Sequence, residues 1–114
     1  MDLWYPSLII PLSSSVGQEI FSKSPHVAYD RLNPHFEVQE RLSYCGIACA
    51  SLLLNTLLPY QNWSQSTIYT NVAQNQMSNG ITLSKLSYAL ERCGLRSIIH
   101  YCEDKTIEEK FPNY

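Results

Sequence analysis

No run of lysine or arginine occurs anywhere in the 114 residues, and eight basic side chains against ten acidic ones leave a formal net charge of −2. Without clustered cations to neutralise phosphates, the chain is not expected to bind nucleic acid. No apolar stretch approaches the roughly 20 residues that span a bilayer. The N-terminal stretch fits poorly as a secretory leader, so none is expected: Asp2 stands where cations would be, and the short apolar run Leu8-Ile9-Ile10 is bracketed by Pro6 and Pro11. The expectation is a soluble cytoplasmic protein with no membrane partner. In a reducing compartment the four cysteines, Cys45, Cys49, Cys93 and Cys102, are expected as free thiols. Asn62-Trp63-Ser64 has the form of a glycosylation acceptor, which has meaning only in a secreted chain. Internal repeats and low-complexity tracts are absent as well.

What is present is a globular composition, 45% hydrophobic and 16% charged, in a length suited to one domain. Residues 1–12 carry Trp4, Tyr5, Pro6 and Pro11, which suits an extended arm better than a helix. Ser15 and Gln18 have capping-box spacing and predict a short helix over 16–22, stopped by Pro25. A second short helix is expected over 28–33, followed by a loop that delivers Gln39. Residues 44–58 are apolar nearly all the way round and end at Pro59, which predicts a central helix enclosed by other elements. Ile68, Val72 and Met77, with Ala73 between, suggest a weaker helix ending at Ser78-Asn79-Gly80. Thr82 caps a clear helix with Leu83, Leu86, Leu90 and Cys93 at helical spacing, and Gly94 suits its C-terminal cap. Residues 95–102 are the one good strand candidate. Thr106 with Glu109 opens a further helix that Pro112 cuts short, the pattern of an interrupted domain.

The stretch from Gln39 to Leu57 organises the rest. Cys45 follows a polar segment, precedes Gly46 and opens the apolar run, so it falls in the first turn of the central helix. There a thiol meets unpaired backbone N–H groups and the positive end of the helix dipole, which favour the thiolate nucleophile. The alternative is an ordinary small core residue, the role of most buried cysteines. Gln39, six positions upstream, could place its amide beside the thiol and, with the Cys45 N–H, donate to a developing oxyanion. Asn55, polar on a buried helix, suits a structural hydrogen bond better than a substrate contact.

Gln39, Tyr44-Cys45-Gly46, Ala48, Leu54-Asn55 and Leu57 together resemble the active-site segment of phytochelatin synthases, papain-like transferases that act on glutathione. The segment 12–21, Leu-Ser-Ser-Ser-Val-Gly-Gln-Glu-Ile-Phe, resembles the opening of that family, and Gly80-Ile81-Thr82-Leu83-Ser84-Lys85-Leu86 its Gly-Ile-Thr/Ser helix start. About a hundred residues agree in order and spacing, enough for most of one small domain.

The resemblance implies an α+β, papain-like cysteine protease fold of which residues 1–114 cover mainly the helical N-terminal lobe, the sheet-bearing half being absent. It implies acyl transfer with Cys45 as nucleophile and Gln39 in the oxyanion hole: glycine leaves glutathione, and a γ-glutamylcysteinyl thioester passes to a second glutathione or a growing phytochelatin. Its context is heavy-metal detoxification. A papain-like site also takes a histidine and an Asn or Asp, roughly 130 residues or more beyond the cysteine in papain-like enzymes. The separation is somewhat shorter in phytochelatin synthases but still past Tyr114. Of the three histidines, His26 and His35 precede the thiol and His100 falls in the predicted strand, so none takes a catalytic role.

No tightly bound cofactor is expected. Heavy-metal ions (Cd, Zn, Cu) enter as thiolate complexes of the substrate, so glutathione, phytochelatins and the metal ions are the implied partners. Cys45 and Cys49, one helical turn apart, have the spacing of a soft-metal pair, and Cys93 lies near where plant relatives cluster extra cysteines. Core packing is nevertheless the expectation for Cys49, Cys93 and Cys102, with Cys49 and Cys93 kept as candidate metal ligands. Two other readings stand beside the transferase: a catalytically incomplete module that binds thiols, metals or a partner, and a papain-like peptidase acting on glutathione or its conjugates. An incomplete lobe would leave one side of the central helix uncovered, which predicts self-association.

Overall fold

The computed structural model describes residues 9–101, and these fold as two compact units divided between Pro34 and His35. In the first, the Pro11 carbonyl accepts hydrogen bonds from the Ser14 N–H (3.1 Å) and hydroxyl (2.6 Å), and Ser14 Oγ accepts from the Gly17 N–H at 3.0 Å. Helix α1 (Ser15–Lys23) therefore starts one residue earlier than expected, with Ser14 instead of Ser15 as its cap. Gln18 does not close a capping box, because its amide donates to the Leu12 carbonyl at 2.6 Å. Gly17 is obligatory here: a Cβ would overlap the Pro11 carbonyl oxygen. Pro25 separates α1 from α2 (Val27–Leu32), and Phe21 joins them by stacking on His26 (4.1 Å) and meeting the Tyr29 ring edge-on (5.3 Å). A single 3-10 turn, Asn33–His35, follows.

The second unit is built around α3 (Cys45–Leu57). Its buried residues Gly46, Ile47, Ala50, Ser51 and Leu54 recur at helical spacing and make one stripe. The predicted enclosure on all sides is not found: Cys45 and Cys49 are exposed on the face away from the stripe, and Leu57 is exposed at the last turn. Apolar composition alone did not distinguish a helix wrapped by neighbours from one that packs through half its circumference.

At the C-terminus of α3 the Trp63 indole N–H donates to the Leu58 carbonyl at 2.9 Å, satisfying one of the orphan acceptors that any helix end leaves. Asn55 pairs with the Trp63 peptide, accepting its N–H at 3.0 Å and donating to its carbonyl at 3.1 Å, and Ser51 donates to the same carbonyl at 2.6 Å. This network folds the connection after Pro59 back along the helix.

Helix α4 (Gln65–Ile68), capped by Ser64, widens into a π turn (Tyr69–Ala73) and tightens into a 3-10 turn (Gln74–Gln76). Thr70, Asn71 and Val72 are poor helix formers, so tertiary contacts decide the register. The two residues that this segment buries in the core, Ile68 and Ala73, are five apart, the repeat of a π turn.

Helix α5 (Leu83–Arg92) is capped by Thr82, whose hydroxyl accepts from the Lys85 N–H. It ends in a Schellman motif: Leu95 N–H to the Leu90 carbonyl, Gly94 N–H to that of Glu91, both at 3.1 Å, with Gly94 at φ 108°. Tyr44, Ile47, Ala50, Leu54, Ile68 and Ala73 form the core, covered by Leu86, Leu90, Cys93 and Leu95 among others.

Residues 95–101 do not form the predicted strand. They alternate as a strand would, with Leu95, Ser97 and Ile99 half-buried and Arg96, Ile98 and His100 exposed. Among the described residues, however, no second edge is present to complete a ladder, and every described element is helical. The β component of the expected α+β class is therefore not found there. Cys102 and the predicted helix at Thr106 lie outside the described residues, as do residues 1–8 of the predicted arm.

Candidate active site

Cys45 is the first residue of α3, and its thiol is free and exposed. A hydroxyl closes the N-termini of α1, α4 and α5, whereas Tyr44 at the corresponding position of α3 supplies no side-chain cap. The first turn of α3 thus has backbone donors that no capping side chain takes up, beside the Cys45 thiol, at the end of the helix where negative charge is favoured.

The position of this terminus is set by burial on either side of the thiol. Tyr44 is 5% exposed and packs on Tyr69, with ring centroids 5.4 Å apart, while the Arg41 guanidinium lies 6.0 Å from the centre of the Tyr44 ring itself. Gly46 is buried against Ile81, and a Cβ on Gly46 would overlap Ile81 Cγ2. The Cys-Gly pair and the Gly80-Ile81-Thr82 segment, far apart in sequence, are thereby two sides of one contact.

Gln39 sits on the loop that enters α3. Its amide nitrogen donates to the carbonyls of Arg41 (2.8 Å) and Leu42 (2.9 Å), and the Tyr44 N–H donates to the Arg41 carbonyl at 3.0 Å. Both amide hydrogens are thus engaged in shaping the turn between Gln39 and the thiol.

Sequence reasoning missed Gln65. Fully buried in the first turn of α4, it accepts the Glu40 N–H at 2.9 Å and donates to the Val38 carbonyl at 3.0 Å. It grips the main chain on both flanks of Gln39. A single polar residue just after the Ser64 cap carries no sequence signal of such burial.

The same loop borders a cleft of about 620 Å³ whose lining includes Arg41, Ser43, Tyr44, Ser66, Tyr69 and Thr70. Its volume suits a small ligand, and its hydroxyls and guanidinium suit one with charged ends.

Among the remaining predicted residues, Cys93 packs at the edge of the core, and burial pushes its thiol up from the ordinary value. Cys49 is exposed, contrary to the core packing expected of it, because it falls on the face of α3 away from the buried stripe. His26 is held by Asp30 (Nδ1 to Oδ2 2.7 Å) and Phe21, His35 closes the 3-10 turn, and His100 is exposed in the extended segment. Among the described residues, no group of three or more His, Cys, Asp or Glu side chains could hold a metal ion, and no helix is long and apolar enough to cross a membrane.

A family model described as phytochelatin synthase matches residues 2–114. No curated protein and no solved structure matches the chain.

Proposed function

The chain belongs to the phytochelatin synthase family, a family of transferases, and on that premise we propose that Cys45 takes up the γ-glutamylcysteinyl group of glutathione. The Cys45 sulfur, its proton released, attacks the carbonyl of the Cys-Gly peptide bond, the C–N bond breaks, and glycine departs with one proton, taken back from solvent, on its amine. The resulting thioester is passed to the amine of a second glutathione or of a growing phytochelatin. Glutathione arriving as its Cd, Zn or Cu thiolate complex is the proposed substrate form, and no resident cofactor takes part.

The observation that carries this reading is an exposed thiol at the first position of a long helix whose N-terminus has no side-chain cap. Backbone N–H groups at such a terminus are the kind of donor that stabilises an oxyanion. Gln39 contributes by turning one amide N–H from a loop carbonyl to donate a hydrogen bond to the oxyanion, an interaction of about 3 to 4 kcal/mol where comparable donors have been removed. The adjacent cleft, with Arg41 at its wall, accommodates the charged ends of a tripeptide.

The fact that favours a second reading is that both Gln39 hydrogens are already engaged. Should they stay with the loop, the chain binds glutathione without turning it over. The two are separated by incubating the reduced chain with glutathione and Cd, then following intact mass and free glycine. Acyl transfer requires glycine release and a transient mass increase of one γ-glutamylcysteinyl group, both absent in Cys45→Ser. Glutathione binding without glycine would make the chain a binding module. Glycine with free γ-glutamylcysteine and no longer peptide would make it a peptidase.

A further inference from the structure

The exposed face of α3 carries two thiols, Cys45 and Cys49, four residues apart. On a helix such positions are neighbours, with Cβ atoms about 5–6 Å apart, and both side chains lean toward the N-terminus. Side chains so placed can reach one ion between them. The backbone beneath them is fixed, because Ile47, Ala50, Ser51 and Leu54 on the opposite side of the same turns are buried.

We propose that Cys45 and Cys49 form a two-thiolate binding site for a soft, closed-shell monovalent cation, with Cu(I) as its ligand. Thiolates select Cu(I) among biological metals, and Cu(I) is content with two of them. Zn(II) requires four ligands, and among the described residues no third Cys, His, Asp or Glu joins this pair. Binding releases two protons, one from each thiol, and forms two Cu–S bonds without electron transfer. The product carries one net negative charge. It lies at the uncapped N-terminus of α3, where the helix dipole and the first-turn N–H groups stabilise an anion. The site shares Cys45 with the proposed acyl transfer, so a bound ion would block the nucleophile, but copper binding does not require that reaction to occur.

The test is an anaerobic titration of the reduced full chain with Cu(I) against a competing chromophoric chelator, together with native mass. One Cu(I) per monomer is expected. Cys45→Ser and Cys49→Ser should each weaken it by roughly 100-fold or more, beyond what loss of an outer-shell partner costs elsewhere. Cys93→Ser and Cys102→Ser should leave it unchanged. Bound Cu(I) should also shield Cys45 and Cys49, but not Cys93, from alkylation in the unmodified chain, a readout that needs no variant to fold. Wild-type affinity in Cys49→Ser, a copper shared between two chains, or shielding that includes Cys93 would overturn the proposal.

Discussion

Gln65 holds the main chain on both sides of Gln39: one buried amide accepts the N–H of Glu40 and donates to the carbonyl of Val38. Gln39 itself then needs only its own two bonds, to Arg41 and Leu42, to complete the turn that leads into Cys45. Gln65→Leu should leave both flanking groups without their partner and destabilise the chain by about 1–3 kcal/mol. Gln65→Glu should keep the Glu40 bond but set a carboxylate oxygen against the Val38 carbonyl, so its stability should recover as the pH is lowered and the carboxyl gains a proton. Amide exchange at Glu40 measures the loosening directly. Unchanged exchange in both variants would mean that the loop is held by something else.

Gly46→Ala tests the contact between the Cys-Gly pair and Ile81. Alanine would gain about 1 kcal/mol in helix propensity, but its methyl group overlaps Ile81 Cγ2, a branch close to the backbone that cannot swing aside. Overpacking of this kind costs about 1–3 kcal/mol, so the variant should be less stable on balance. Combined with Ile81→Ala it should lose less than the sum of the two single changes, with a coupling of about 1 kcal/mol or more from denaturant midpoints. Additive effects would show that the two segments are not in contact.

The helices were legible in the sequence where side chains signal their ends locally. Thr82 and Gly94 bracket α5 as expected because a hydroxyl cap and a left-handed glycine act within one turn. Ser14 displaced Ser15 as the cap of α1: the capping-box spacing to Gln18 pointed to Ser15, but the Pro11 carbonyl holds the Ser14 hydroxyl where it accepts from the Gly17 N–H. Features that depend on distant partners were not legible. Leu95 to Tyr101 keeps the alternation of a strand, but a ladder needs a second edge that no local pattern supplies. Cys49 looked like core because every neighbour is apolar, and only the choice of buried stripe placed it outside. At the site, the thiol at a helix start was foreseen; the amide of Gln65, 25 residues from the loop it grips, was not.

Asn55→Leu should break the pairing that folds residues 59–63 back on α3. Its side chain is close in size, so the loss is that of the Trp63 N–H and carbonyl partners, about 1–3 kcal/mol. Ser51 still donates to the carbonyl, which places the expected value in the lower half of that range. Trp63 fluorescence should shift to the red as water reaches the indole, and an unmoved spectrum at unchanged stability would refute the structural role given to Asn55.

The thiols should differ in when they react. Cys45 and Cys49 are exposed, so both should alkylate ahead of Cys93. Cys93 is partly buried against the core, and that burial disfavours its thiolate, so it should follow only at higher pH. The sign of the stability effect follows from the same shift. A group whose folded value is raised stabilises the fold fully below the unfolded thiol value, about 8.5, and that contribution is lost as the pH rises toward the folded value. Melting temperature should therefore fall on the alkaline side of that point, and Cys93→Ala should flatten this part of the curve while lowering the neutral plateau through lost packing. If Cys93 reacts as fast as Cys45, or if the alkaline fall survives its replacement, the thiol is not held in the core as described.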